Sequence, residues 1–143
     1  MTIALLATGN EIVEGDILNT NCQELAHSLH SEGLAPSMHM ACSDSEEDIL
    51  DCLQFLAARP DVMIITGGLG PTSDDRTRFA LSRFLGLPLL VFSSALEHLQ
   101  KILRHSALAM TSSNKQQALF PKSAILLPNP FAIPCHTLKE IIE

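Results

Sequence analysis

Apolar residues along this chain recur in two alternating forms: short unbroken runs, and longer stretches with a three-to-four-residue spacing. The run Thr2–Ala7 predicts a buried strand, ended by Thr8-Gly9. Thr20-x-x-Gln23 reads as a capping box for a helix with Leu25, Ala26 and Leu29 on one side and Gly33 as its stop. Ser37–Cys42 is a second strand. Ser43-x-x-Glu46 caps a helix that turns Ile49, Leu50, Leu53, Leu56 and Ala57 inward, and Pro60 ends it before a third strand, Asp61–Thr66. A further helix begins near Asp74, buries Phe79, Ala80, Phe84 and at its margin Leu81, and stops at Gly86.

Beyond Pro88, Leu89–Phe92 reads as either a strand or an extended connection. Ser94-x-x-Glu97 caps a helix bearing Leu96, Leu99 and Leu103. Ser106–Ser113 reads as a loop into a short helix around Gln116–Leu119, with a strand at Ala124–Leu127 and a helical turn at Leu138–Ile142. Strands alternating with helices imply a parallel sheet covered on both faces. Ligands of such sheets bind beyond the carboxyl ends of the strands. Three polar turns, Thr8–Asn21, Ser43-Asp44 and Gly67–Asp75, would then open at one edge.

Composition narrows the setting. A length of 143 residues fits a single domain, 1–143, and 46% hydrophobic residues suffice for a core. With six Phe and no Trp or Tyr, aliphatic side chains must fill most of it. No apolar run nears the roughly 20 residues that span a bilayer, and the N-terminus lacks a basic leader, so a cytoplasmic setting is expected. A net charge of −7 argues against nucleic acid and anionic membranes as partners. Cys22, Cys42, Cys52 and Cys135 show no C-x-x-C spacing and read as buried thiols. His27 and His30 share a helix face without an evident third metal ligand.

The stretch Thr66-Gly67-Gly68-Leu69-Gly70-Pro71-Thr72-Ser73-Asp74-Asp75-Arg76-Thr77 carries the chemistry. It follows a strand and precedes a helix, and its glycines let backbone N–H groups approach an anion closely. It lacks the Lys-Ser/Thr ending of a P-loop and the G-x-G-x-x-G spacing of a dinucleotide fold. Adjacent carboxylates at Asp74 and Asp75 would repel a bare phosphate, which implies a metal ion or a bond-breaking role.

This stretch resembles the T-G-G-x-G-P…D-x-T signature of the molybdopterin-binding MoaB/Mog superfamily. Leu69 and the Asp74-Asp75 pair are more similar to the amino-terminal domain of the CinA (competence/damage-inducible protein) family. Two further blocks resemble the same family: Gly9-Asn10-Glu11-Ile12-Val13-Glu14-Gly15-Asp16-Ile17-Leu18-Asn19-Thr20-Asn21, and Lys115-Gln116-Gln117-Ala118-Leu119-Phe120-Pro121 followed by Leu127-Pro128-Asn129-Pro130. The resemblance implies a three-layer α/β/α sandwich with a mostly parallel sheet, the MoaB/Mog-like fold.

It also implies a ligand set. Asp75 matches an Asp implicated in chemistry at the phosphate, and Asp44 sits where the family places a second acid, so both are candidate catalytic and metal-binding residues. Each has a plainer reading: a helix-dipole carboxylate for Asp75, a cap near Ser43 for Asp44. Gly9, Glu11, Thr20, Asn21, Gly67, Gly68, Leu69, Gly70, Thr72, Asp74, Thr77, Gln117 and Asn129 are the candidate ligand contacts. Thr20 doubles as a cap, and Asn19 stands where the family usually has Asp. Of the cations Arg76, Arg78 and Lys115, at most one is expected on the ligand, the others facing solvent. Pro128 and Pro130 fix loop shape.

In the mechanism that fits the resemblance, amides of Gly67–Gly70 hold the anhydride oxygens of ADP-ribose. Asp75 and Asp44 hold Mg²⁺, Mn²⁺ or Co²⁺ to activate water, or Asp75 orients the water itself. The alternatives are a molybdopterin-binding adenylyltransferase and a non-catalytic binding module. After Asn129-Pro130 the family's G-x-A-P-G turn is replaced by Phe131-Ala132-Ile133-Pro134-Cys135-His136, so the domain reads as shortened, with a pocket wall left to a partner subunit and a homo-oligomer expected. The family's C-terminal amidohydrolase activity is not carried over.

Overall fold

The computed structural model describes residues 1–127 and 129 in full and the backbone of residues 135–137. The chain divides into two compact units, Met1–Gly68 and Leu69–Glu143. In the first, strands β1 (Ile3–Thr8), β2 (Pro36–Cys42) and β3 (Val62–Thr66) form a parallel sheet in the order β2-β1-β3. Leu5 of the central strand faces His39 on one side and Ile64 on the other. All six residues of β1 are buried, as a strand covered on both faces requires. Ile3, Leu5 and Ala7 form one cluster with Cys22, against which Leu25, Ala26 and Leu29 pack. Those partners lie on helix α2 (Thr20–Ser31), whereas α3 (Glu46–Leu56) buries Ile49, Leu53 and Leu56 and contacts β1 and β2.

The helix starts differ from the expected ones. Asn19, not Thr20, caps α2, its side chain accepting from the Cys22 amide at 3.1 Å. Ser45 rather than Ser43 caps α3, accepting from the Asp48 amide. A short helix, α1 (Asn10–Val13), stands in the stretch read as a polar turn. Cys22 and Cys42 are buried free thiols as expected, Cys52 is free but only half-buried, and burial together with the neighbouring Cys52 pushes Cys42 up to about 12.

In the second unit, α4 (Thr77–Leu85) starts three residues later than expected, so Asp74 and Asp75 lie in the turn before it. Its stop at Gly86, in the left-handed region at φ 64°, is as expected. Its buried face is Thr77, Arg78, Ala80 and Leu81, while Phe79 and Phe84 are only half-buried. Leu89–Val91 is a strand, β4, paired antiparallel with β5 (Leu119–Pro121), which was not anticipated. Helix α5 (Ser93–His105) starts at Ser93 without a side-chain cap, so the Ser94 cap is not made. Helix α6 (Ser112–Lys115) runs into a 3-10 turn, Gln116–Ala118. Strand β6 (Ile125–Leu127) pairs antiparallel with β7 (Cys135–Thr137). Ala95, Ala118, Phe120 and Ala124 form one buried cluster of this unit, with the Phe92 and Phe120 rings edge to face at 5.6 Å. The expected turn at Leu138–Ile142 lies outside the described residues. Among the described residues no helix is long and apolar enough to cross a membrane.

Because Leu5 is fully buried at the centre of β1, Leu5→Ala should cost about 2–5 kcal/mol. Urea unfolding checks this through a lowered midpoint at unchanged slope.

Candidate functional site

Parallel pairing places the carboxyl ends of β1, β2 and β3 along one edge of the first unit. The Gly9 amide donates to the Cys42 carbonyl at 3.0 Å, tying the first turn to the second. Gly67 has φ 103°, and a Cβ there would land on the Thr8 carbonyl, so only glycine lets β3 leave the sheet this close to β1. Asn21 Nδ2 donates to Thr66 Oγ1 at 3.2 Å, bringing the start of α2 to the end of β3. The carboxylate of Glu11 lies over Gly9, where an added Cβ would come within 2.7 Å of Oε1.

Asp44 has a specific partner. The Asn10 amide donates to Asp44 Oδ2 at 3.1 Å, and the Asp44 amide donates to Asn10 Oδ1 at 3.0 Å. Its carboxylate thus holds the first residue of α1, in place of the expected cap near Ser43. Gly9, Glu11, Asn21, Asp44, Gly67 and Gly68 belong to this edge. Thr20 is exposed on α2 beside an open groove of about 520 Å³ that it lines with Gln23, Glu24, His27 and Ser28. A second groove, of about 370 Å³, brings His39 beside His27 and His30.

The second unit contributes the turn Leu69–Asp75, whose polar groups are sorted by type. Thr72 donates to Asp75 Oδ2 twice, from its amide at 2.8 Å and its hydroxyl at 2.6 Å. The same carboxylate lies against Gly70, where an added Cβ would sit 2.6 Å from Oδ2. The carbonyls of the same residues have other partners. Arg78 Nη2 donates to the Leu69 carbonyl, and Gln116 Nε2 donates to those of Gly70 and Thr72 at 3.2 and 2.8 Å. The Thr72 amide and hydroxyl therefore meet an anion while the carbonyls of Leu69, Gly70 and Thr72 accept from other side chains, an arrangement suited to binding an anion. In this structure the anion is Asp75.

The expected cations divide sharply. Arg76 stacks over the Phe79 ring at 4.0 Å, which accounts for the half-burial of Phe79. Lys115 is exposed. Arg78, expected on a solvated face or on ligand, is 1% exposed, and its Nε and Nη1 have no hydrogen-bond partner. Burial pushes its guanidinium down to about 10, with Asp75 acting in the opposite sense, so it stays charged at neutral pH. Thr77 and Gln117 are buried, Asn129 is half-buried and Asp74 is exposed beside Ser73. Gln116, which sequence reading passed over for its neighbour Gln117, is the glutamine that reaches the turn. Its position in the K-Q-Q block was the only available signal.

Among the described residues, no group of three or more His, Cys, Asp or Glu is placed to hold a metal ion. Asp44 Oδ2 is committed to Asn10 and Asp75 Oδ2 to Thr72. An Mg²⁺, Mn²⁺ or Co²⁺ ion at either carboxylate would therefore need ligand phosphates and water to complete its shell.

Partial burial alone would raise the pKa of Asp75. The Thr72 hydroxyl, the Gly70 and Thr72 amides and the Arg78 charge outweigh it and hold the carboxyl below its ordinary value. A folded value below the unfolded one means these bonds stabilise the fold above about pH 4, and that contribution is lost as pH falls through the folded value. In urea unfolding across pH, the advantage of wild type over Asp75→Asn should stay constant above about pH 5 and shrink below about pH 4. A pH-independent difference would contradict the assignment.

Comparison with known proteins places this geometry. Residues 4–138 match the family described as "Probable molybdopterin binding domain". A CinA-like protein of Geotalea uraniireducens is 36% identical over 135 residues, covering 94% of this chain and 32% of the relative. A second CinA-like protein, from Citrifermentans bemidjiense, is 38% identical over 130 residues, covering 91% of this chain and 31% of the relative. The chain thus spans about a third of the length of these curated relatives. The crystal structure of CinA, a protein of unknown function from Thermoplasma acidophilum, superposes with a TM-score of 0.85 at 25% identity, covering 94% of this chain and 79% of that one. Mog of Mycobacterium ulcerans shares the fold, with a TM-score of 0.54 at 15% identity over 90% of this chain and 77% of its own. With its parallel sheet and glycine-rich turn, the chain belongs to the molybdopterin-binding-domain family and is CinA-like within it.

Proposed function

We propose that the Leu69–Asp75 turn binds the phosphate of a nucleotide or pterin ligand, and that the chain hydrolyses ADP-ribose at its pyrophosphate. The observation that carries this reading is the convergence of the Thr72 amide and hydroxyl on a single carboxylate that lies against Gly70. Donors that solvate a carboxylate are equally suited to a phosphate oxygen. In the reaction, water adds to one phosphorus, the bridging P–O bond breaks, and AMP and ribose 5-phosphate leave. Asp75, kept ionised, orients the water and takes its proton, which passes to the departing phosphate oxygen. Asp74, exposed on the same turn and accepting from the Ser73 hydroxyl, serves as the control.

A second reading follows from the family's description: the same seat holds the phosphate of a molybdopterin-type pterin without turnover. Incubation with ADP-ribose, with Mg²⁺, Mn²⁺ or Co²⁺ and with chelator, should release AMP in at least one condition. Asp75→Asn should lower the rate about 100-fold or more, and Asp74→Asn should retain it. Equal rates for wild type and Asp75→Asn would remove Asp75 from the chemistry. No AMP, with a raised melting temperature in the presence of a pterin phosphate, would select the second reading.

A further inference from the structure

Arg78 presents an unresolved cost. A guanidinium that is 1% exposed, with two of its nitrogens unpartnered, is expensive to bury. Its Nη2 donates to the carbonyl of Leu69. That carbonyl belongs to the same peptide unit as the Gly70 amide, and in a trans peptide the C=O and N–H point in opposite directions. Among the described residues no peptide bond is cis. Holding the Leu69 oxygen on Arg78 therefore aims the Gly70 N–H the other way, and the Asp75 carboxylate lies against Gly70.

We propose that Arg78 is the positioning residue of the anion seat: its buried guanidinium fixes the Leu69–Gly70 peptide plane so that the Gly70 amide presents its proton to an oxyanion. Glycine makes such a clamp necessary, because a residue without Cβ turns its peptide planes more freely than any other. The charge adds a second effect, since a carbonyl bonded to a cation is polarised and its peptide becomes a better N–H donor. Gln116 clamps the next carbonyls, those of Gly70 and Thr72, as a neutral donor. Arg78 is the charged member of the pair and the buried one. The inference rests on the reading of this turn as a phosphate seat, while its geometric core concerns the ligand-free protein.

Two measurements on the full chain separate the two. In the ligand-free protein, Arg78→Met should displace the Gly70 amide and Leu69 carbonyl resonances, Arg78→Lys should displace them less, and the Gly86 amide at the far end of α4 should stay in place. Titrated with inorganic pyrophosphate, Arg78→Met should bind roughly tenfold or more weakly than wild type, with Arg78→Lys between, as expected for a misaimed donor to a charged group. A folded Arg78→Met with unmoved Gly70 and Leu69 resonances overturns the proposal, as does one whose resonances shift uniformly along α4. If Arg78→Met does not fold, Arg78→Lys decides: an ammonium lacks the planar fork, so unmoved resonances overturn the proposal and displaced ones support it. Failure of wild type to bind pyrophosphate or ADP-ribose would remove the phosphate reading and leave the resonance test of Arg78 standing.

Discussion

The separation of amides from carbonyls in the turn Leu69–Asp75 is the constraint on which the candidate chemistry depends. A turn left to water would expose both kinds of group, and an anion approaching it would meet lone pairs as often as protons. Here Arg78 and Gln116 take the carbonyls of Leu69, Gly70 and Thr72. The amide and hydroxyl protons of Thr72 go to one carboxylate, which lies against Gly70. The holding side chains come from helix α4 and from the 3-10 turn after α6, two pieces of regular structure whose own places are fixed by packing. Rigid elements thus set the polarity of an irregular one, as a preorganised anion site requires.

The first unit meets a related constraint by other means. Its three parallel strands end together, and the turns that leave them must share a crowded edge. Close approach of Gly67 to Thr8, the Gly9–Cys42 hydrogen bond and the reciprocal Asn10–Asp44 pair leave these turns little freedom. Asp44 shows why a carboxylate on such an edge is not by itself a catalytic group. A helix of four residues gains little from its own hydrogen bonds, so an external acceptor for its first amide is worth more to α1 than to a longer helix.

The parts legible in the sequence were those governed by periodicity over several residues. Thr2–Ala7 and Asp61–Thr66 were read as strands because unbroken apolar runs fit a doubly covered parallel sheet. Caps were misplaced by one or two residues, Asn19 for Thr20 and Ser45 for Ser43. Ser, Thr and Asn are all competent caps, and the choice falls to backbone angles that composition does not carry. Helix α1 was invisible because Asp44, which completes its first turn, is 34 residues away in the chain. Arg78 was misassigned because residue-type averages favour Phe inside and Arg outside. The periodicity of α4 instead turns Thr77, Arg78 and Leu81 inward, and the stacked Arg76 covers part of Phe79. The glycine turn was located correctly from its residues. Which of its carbonyls would be clamped, and by Gln116 rather than Gln117, depends on tertiary placement alone.

A carboxylate already seated on the donors also limits how a phosphate can arrive. Two anions sharing the Gly70 and Thr72 amides would repel each other, and partial burial strengthens that repulsion relative to open water. A phosphate must therefore displace Asp75, share a proton with it, or bring a cation between them. The first route frees a carboxylate held below its ordinary pKa at the moment the ligand binds, next to the group it would act on. The second fails at neutral pH for the same reason, since the bonds that depress the pKa of Asp75 oppose its protonation. The third places a cation between the two anions, where ligand phosphates and water would complete the shell left by one or two carboxylates. Ligand affinity and the freedom of Asp75 are thus tied through one set of donors, and the chain's net charge of −7 leaves those local donors, not a general field, to attract the phosphate.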